Sequence, residues 1–118
     1  MINNNKRYPF KDNPFGITFK KKEKLHQEIN SFDEFEEMHK TNLLKIKSVI
    51  INKIGECEIY VFGSMVNGTW DEESDYDLKV ICNISKQDIE YLKNYDYGCK
   101  VDLFFDPRIL LNVRKVII

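Results

Sequence analysis

The sequence predicts an α+β domain, of the mixed α/β kind, in which a small mixed β-sheet has helices packed on one side. Three observations predict it: a helical period of apolar residues over 32–54, three strand-like runs after it, and turn or capping residues between these segments. Residues 1–15 hold an asparagine run with Pro9 and Pro14 and read as an extended arm. The stretch from Gly16 through Lys22 fits either a short edge strand guarded by lysines or the approach to a helix over 24–30. Ser31 followed by Glu34 is a capping-box pattern. Phe32, Phe35, Met38, Leu43, Ile46, Val49, Ile50 and Ile54 then recur near a 3.6-residue period, so one long amphipathic helix is expected, ended by Gly55.

The first core strand is expected over 56–62, a short helical segment over 66–70, and the second strand over 76–82. Ser85 can cap a helix running through Lys93 with Ile89 and Leu92 inward. The chain turns at 94–98 into a third strand over 99–105, and Pro107 opens a last helix containing Ile109, Leu110, Val113, Ile117 and Ile118. Such an apolar tail either closes the core or offers a partner surface.

With 118 residues, 42% hydrophobic and 31% charged, the chain is one globular domain with an added arm: residues 1–30 as a basic N-terminal arm, residues 31–118 as the domain. It has no apolar run near 18 residues and no apolar N-terminal signal core, so neither membrane insertion nor secretion is expected, and the expected location is cytoplasmic. Cys57, Cys82 and Cys99 are widely spaced, odd in number and placed on inward strand faces, which favours a reducing compartment. With only His26 and His39 besides, no zinc constellation exists, and both histidines read as surface helix residues. Residues 1–24 carry a net +5 and residues 25–118 a net −6. Nucleic-acid binding by that basic end is the less favoured reading beside a solvated arm, because no aromatic platform accompanies it.

The chemistry lies in residues 62–78. Asp75 and Asp77 lie two apart in a strand-like run, so alternation turns both to one face while Tyr76, Leu78 and Val80 face the core. Two carboxylates about 7 Å apart repel by roughly 2 kcal/mol at an effective dielectric near 20. A divalent cation reverses that sign, and hard cations prefer carboxylate and phosphate oxygens. Gly63 and Ser64 follow the apolar run ending in Phe62, where backbone N–H groups and a hydroxyl can approach a phosphate, and Gly68 supports a second close turn. Asp102 is the candidate third carboxylate, with Val101, Leu103 and Phe105 inward and Asp102 on the other face. Asp71, Glu72 and Glu73 read as a solvated acidic loop.

Gly63-Ser64, ten residues, then Asp75-Tyr76-Asp77, with Asp102 on a later strand, resembles the DNA polymerase β-like nucleotidyltransferase superfamily, in particular its minimal nucleotidyltransferase (MNT) members, over roughly residues 32–105. The resemblance implies the polymerase β-like fold. It further implies that Gly63, Ser64, Gly68 and Ser74 bind the nucleotide while Asp75, Asp77 and Asp102 are catalytic and hold two Mg²⁺ ions, with Mn²⁺ as the substitute. Many minimal members read Gly-Ser-Arg-Ala-Arg-Gly where this chain has Gly63-Ser64-Met65-Val66-Asn67-Gly68. The implied reaction moves a nucleoside monophosphate, AMP first, from an NTP to a hydroxyl with release of pyrophosphate. Small members of the family are similar to antitoxins that modify a tyrosine of a HEPN-type toxin, which makes such a toxin the implied partner. The alternatives are an adenylyltransferase for a small molecule such as an aminoglycoside, or a non-catalytic module that binds a toxin or RNA.

Overall fold

A computed structural model describes residues 24–106 and 112–118. A 3₁₀ turn, Phe32–Glu34, precedes helix α1, Glu37–Ile54. There follow strand β1, Glu58–Phe62; the one-turn helix α2, Ser64–Asn67; strand β2, Tyr76–Ile81; helix α3, Lys86–Asn94; strand β3, Val101–Phe104; and strand β4, Lys115–Ile117. The sheet runs in the order β3-β2-β1-β4. β1 is antiparallel to both β2 and β4, and β2 is parallel to β3.

Strand alternation divides the two faces as expected. Ile59, Val61, Tyr76, Leu78, Val80, Leu103 and Val116 are buried with Leu43, Ile46 and Ile50 of α1 and Leu92 of α3. Burying each such aliphatic side chain contributes about 1.5–3 kcal/mol, so the helix layer holds the sheet flat against it. Ser85 caps α3, its hydroxyl accepting from the Asp88 N–H at 3.1 Å. Ser85→Ala is expected to cost about 1 kcal/mol in a urea titration, with the site left intact.

The long helix expected from residue 31 is split. Phe35 turns its ring into the core, and Phe35 and Glu36 adopt extended backbone between the 3₁₀ turn and α1. Glu34 accepts from the Asn30 N–H at 3.0 Å and from the Ser31 hydroxyl at 3.4 Å, and the Ser31 side chain caps no backbone N–H. No helix forms over 24–30. Instead the Leu25 and His26 N–H groups bond the Gly68 carbonyl and Ile29 bonds that of Val66, which lays this segment along α2. The short helix forms three residues earlier at its C-terminal end than expected, at Ser64–Asn67, because Gly68 ends it in a left-handed conformation.

The C-terminal helix is corrected as well. Lys115–Ile117 is an edge strand in register with Tyr60–Phe62, since Val116 alternates into the core between exposed Lys115 and Ile117. The expected helical positions 107–111, like the arm over 1–15 and the candidate edge strand after it, lie outside the described residues. Among the described residues no helix is long and apolar enough to cross a membrane. The three cysteines are free and half-buried against the core.

Candidate active site

The site gathers where β1 ends and β2 and β3 begin. In the parallel ladder Asp77 lies directly across from Asp102, and in the antiparallel ladder Phe62 lies across from Asp77. Neighbouring strands are about 4.8 Å apart, so the Asp77 and Asp102 side chains leave adjacent backbones on the same face. Asp75 joins that face two residues upstream, just before the strand begins. Asp75 and Asp102 are exposed and Asp77 is half-buried.

Gly63 turns the chain directly beside these acids. Its φ of 78° and ψ of −148° suit glycine, and a Cβ there would stand 2.5 Å from Asp77 Oδ2. The bend therefore packs its bare Cα against the Asp77 carboxylate. After it, the Val66 and Asn67 N–H groups bond the Gly63 carbonyl at 3.1 and 3.0 Å. The N–H groups of Ser64 and Met65 precede these and have no partner within the helix. Gly68 is equally constrained: at φ 81° a Cβ would meet the His26 carbonyl oxygen at 2.3 Å.

The electrostatics of Asp77 follow from its burial and from the nearness of the other two acids. Burial, then the charge of Asp102, then that of Asp75 push the Asp77 carboxyl up to about 6. Like charges raise a carboxyl only when they are close, so the three side chains share one field. An all-carboxylate donor set suits a hard divalent cation, and the uncompensated repulsion on Asp77 is the cost that such a cation would offset. Among the described residues, however, no three His, Cys, Asp or Glu side chains already enclose a point where an ion would sit. The donors fit the ion in chemistry and must draw together to hold it.

The remaining expected nucleotide contacts are placed as follows. Ser64 is the half-buried first residue of α2, and Gly68 is buried at its end. The Ser74 hydroxyl accepts from the Asp71 N–H at 2.9 Å and donates to Asp71 Oδ1 at 3.2 Å, closing the loop ahead of Asp75. Asp71 is thereby a structural residue of that loop, its Oδ1 also accepting from the Glu73 N–H, and the reading of it as mere solvated charge is corrected. Met65 and Val66, in the stretch where many minimal members carry arginines, are buried in the core, and Asn67 is exposed.

Several residues escaped the sequence reading. His39 is no surface residue: it is 5% exposed, its Nδ1 lies 2.6 Å from the Tyr76 hydroxyl, and its ring meets Trp70 edge-on at 4.6 Å. Burial lowers its pKa, opposed by Glu36 and reinforced by His26. His26 stacks flat on the other contact of Trp70, with centroids 3.8 Å apart. Lys79, two residues past Asp77 and on the same strand face, is 1% exposed, and its ammonium has no hydrogen-bond partner. Burial lowers its pKa, and the charges of Asp106 and Cys82 act against that. Phe62 and Phe104 meet edge to face across β2 on this side of the sheet, at 5.4 Å. Its alternation with Asp75 and Asp77 could have flagged Lys79, whereas nothing local in the sequence marks His39 as buried. A concavity of about 730 Å³, between α1 and the 95–98 turn, is lined by none of the three site aspartates.

A family model described as nucleotidyltransferase domain matches residues 43–117, most of the chain and all of the sheet. The chain belongs to the nucleotidyltransferase domain family, and its fold is consistent with the polymerase β-like nucleotidyltransferases. It is a transferase whose general reaction is transfer of a nucleoside monophosphate from an NTP. The matched region runs past residue 105 to include β4, beyond the span read from the motifs. No curated protein and no solved structure matches the chain.

Proposed function

We propose that Asp75, Asp77 and Asp102 bind the divalent cations of a nucleotidyl-transfer site, two Mg²⁺ ions with Mn²⁺ as substitute, and that the bend from Gly63 to Gly68 faces the triphosphate. The observation that carries this reading is the pairing of Asp77 with Asp102 on one sheet face, with the Gly63 Cα pressed against the Asp77 carboxylate. When bound, the cations neutralise charge on the leaving pyrophosphate and lower the pKa of the attacking hydroxyl. The protein's own part is to aim three carboxylates at one region, with the Gly63 bend packed directly beside them. In this reading Asp102, exposed on β3, helps to deprotonate the acceptor. The acceptor oxygen forms a bond to the α-phosphorus, the bond from that phosphorus to pyrophosphate breaks, and the acceptor proton leaves to solvent.

AMP is the proposed group transferred, and a protein hydroxyl the proposed acceptor, with a tyrosine of a HEPN-type toxin the first to test because small members of the family resemble antitoxins that act so. Burial of Met65, with no arginine side chain in the 63–68 bend, leaves the phosphates without a cationic side chain there and favours weak NTP binding. Incubating the full chain with Mg²⁺, each of four α-labelled NTPs and a candidate acceptor, followed by intact-mass analysis, checks this. A mass gain of one AMP unit on the protein acceptor, dependent on Asp77, is expected. Label appearing instead on an aminoglycoside would move the acceptor to small molecules, and no pyrophosphate from any NTP would defeat the proposal.

A further inference from the structure

The residue between the two site aspartates points the other way, and its hydroxyl is held by two side chains of α1. The His39 Nδ1 lies 2.6 Å from the Tyr76 hydroxyl, and the Asn42 amide donates to it at 2.9 Å. Residues 39 and 42 are three apart on one helix and so share a face, which here grips a single oxygen. The Tyr76 hydroxyl accepts from Asn42, and its bond with His39 Nδ1 runs in either direction according to the imidazole tautomer. Tyr76 is 7% exposed and also opens β2, its N–H bonding the Lys100 carbonyl at 2.9 Å just ahead of β3.

Packing alone does not call for this arrangement. Phenylalanine would fill the same volume without a hydroxyl to desolvate, and a buried polar group is tolerated only when partners meet it. The network forms although it leaves His39 Nε2 buried without a hydrogen-bond partner, beside a cavity of about 200 Å³ that His39 helps to line. What the grip provides is direction. Successive side chains on a strand leave on opposite faces, so fixing the far end of Tyr76 fixes the rotation of β2 where Asp75 and Asp77 emerge. Trp70, edge-on to His39, ties the loop before Asp75 to the same anchor.

We propose that the Tyr76 hydroxyl, gripped by His39 and Asn42 through the sheet, sets the aim of Asp75 and Asp77, making these three positioning residues for the nucleotidyl-transfer site. The inference rests on the reading of those aspartates as cation ligands. Groups hydrogen-bonded directly to metal ligands change metal affinity by about 10–100-fold when removed, and an anchor that acts through the strand backbone should act in the same direction, near the lower end of that range.

The test uses the full chain and Mn²⁺ as the probe, with free ion read by electron paramagnetic resonance, thermal unfolding recorded beside it, and kcat and KM for the NTP measured separately. Tyr76→Phe is expected to weaken Mn²⁺ binding by about 10-fold or more and to lower kcat more than it raises KM. His39→Leu should behave alike, while His39→Asn, which restores a polar partner able to donate or accept, should stay within about threefold of the parent. A merely structural role would lower the melting temperature in both His39 variants without this split. Asp77→Asn is the reference. If it abolishes Mn²⁺ binding while folded Tyr76→Phe binds as the parent does, the anchor is refuted and the ligand assignment stands. If Asp77→Asn itself binds Mn²⁺ normally, the ligand assignment fails first. Should Tyr76→Phe not fold, Asn42→Ala carries the test, and unchanged Mn²⁺ affinity in it overturns the proposal.

Discussion

Asp77→Asn is expected to abolish nucleotidyl transfer and at the same time to make the metal-free protein more stable above pH 6. The carboxyl is raised from an ordinary value of 3.8 to about 6 by burial, Asp102 and Asp75. Between those values the folded state holds a proton that the unfolded chain has released, so this group's contribution to stability falls as pH rises from about 4 to about 6. Above pH 6 the full penalty is present. A shift of that size corresponds to about 3 kcal/mol at most, and the open side of the site reduces it to about 1–2 kcal/mol. Asparagine removes the charge and keeps the shape. Urea titrations at pH 7.5 should therefore favour the variant by that amount, and the gap should close near pH 4. Millimolar Mg²⁺ with nucleotide should reverse the order, because a ligand that binds only the folded parent stabilises it by mass action. Equal stability of the two proteins at both pH values would show that the Asp77 carboxyl is not raised in the folded state.

Gly63→Ala carries the second large effect, in the opposite direction for stability. At φ 78° and ψ −148° an alanine occupies a region that is essentially reserved for glycine, at a cost of about 1–3 kcal/mol. Its Cβ would also stand 2.5 Å from Asp77 Oδ2, so the carboxylate must move off its present line. The expected result is a loss of about 2–4 kcal/mol in urea and a fall in kcat of about 100-fold, since small displacements of positioning groups cost that much. A double-mutant cycle separates the two parts. With Asp77→Ala already made, the steric part vanishes and Gly63→Ala should cost only its backbone strain. Additive effects in the cycle would mean that Gly63 and Asp77 do not touch.

The layout of the site was legible because it depends on strand parity. Asp75 and Asp77 on one face, Tyr76, Leu78 and Val80 on the other, and Asp102 opposite Leu103 follow from a period of two, and the sheet keeps all but Asp75, which lies just ahead of β2, in that alternation. The α3 cap at Ser85 and the end of α1 at Gly55 were legible for the same local reason, namely side-chain and turn chemistry within a few residues. What was not legible depends on partners far along the chain. Val116 makes a strand of Lys115–Ile117 only because β1 offers it an edge, and a short apolar tail reads equally well as helix. His39 looks like any polar helix residue until Tyr76, 37 positions away, arrives at its ring. Ser31 and Glu34 matched a helix start, yet Phe35 was drawn into the core and broke the helix there. In each case tertiary burial overrode a sound local preference.

The claim on which the rest stands is that the carboxylates of Asp75, Asp77 and Asp102 draw together around cations beside the Gly63 bend. Crystals of the full chain soaked with Mn²⁺ and a non-hydrolysable ATP analogue, with data collected for the Mn²⁺ anomalous signal, test it directly. The account predicts anomalous density within about 2.5 Å of oxygens from all three aspartates, with phosphate oxygens on the other side of the ion. Density bound elsewhere, or a nucleotide seated away from these acids, would contradict it.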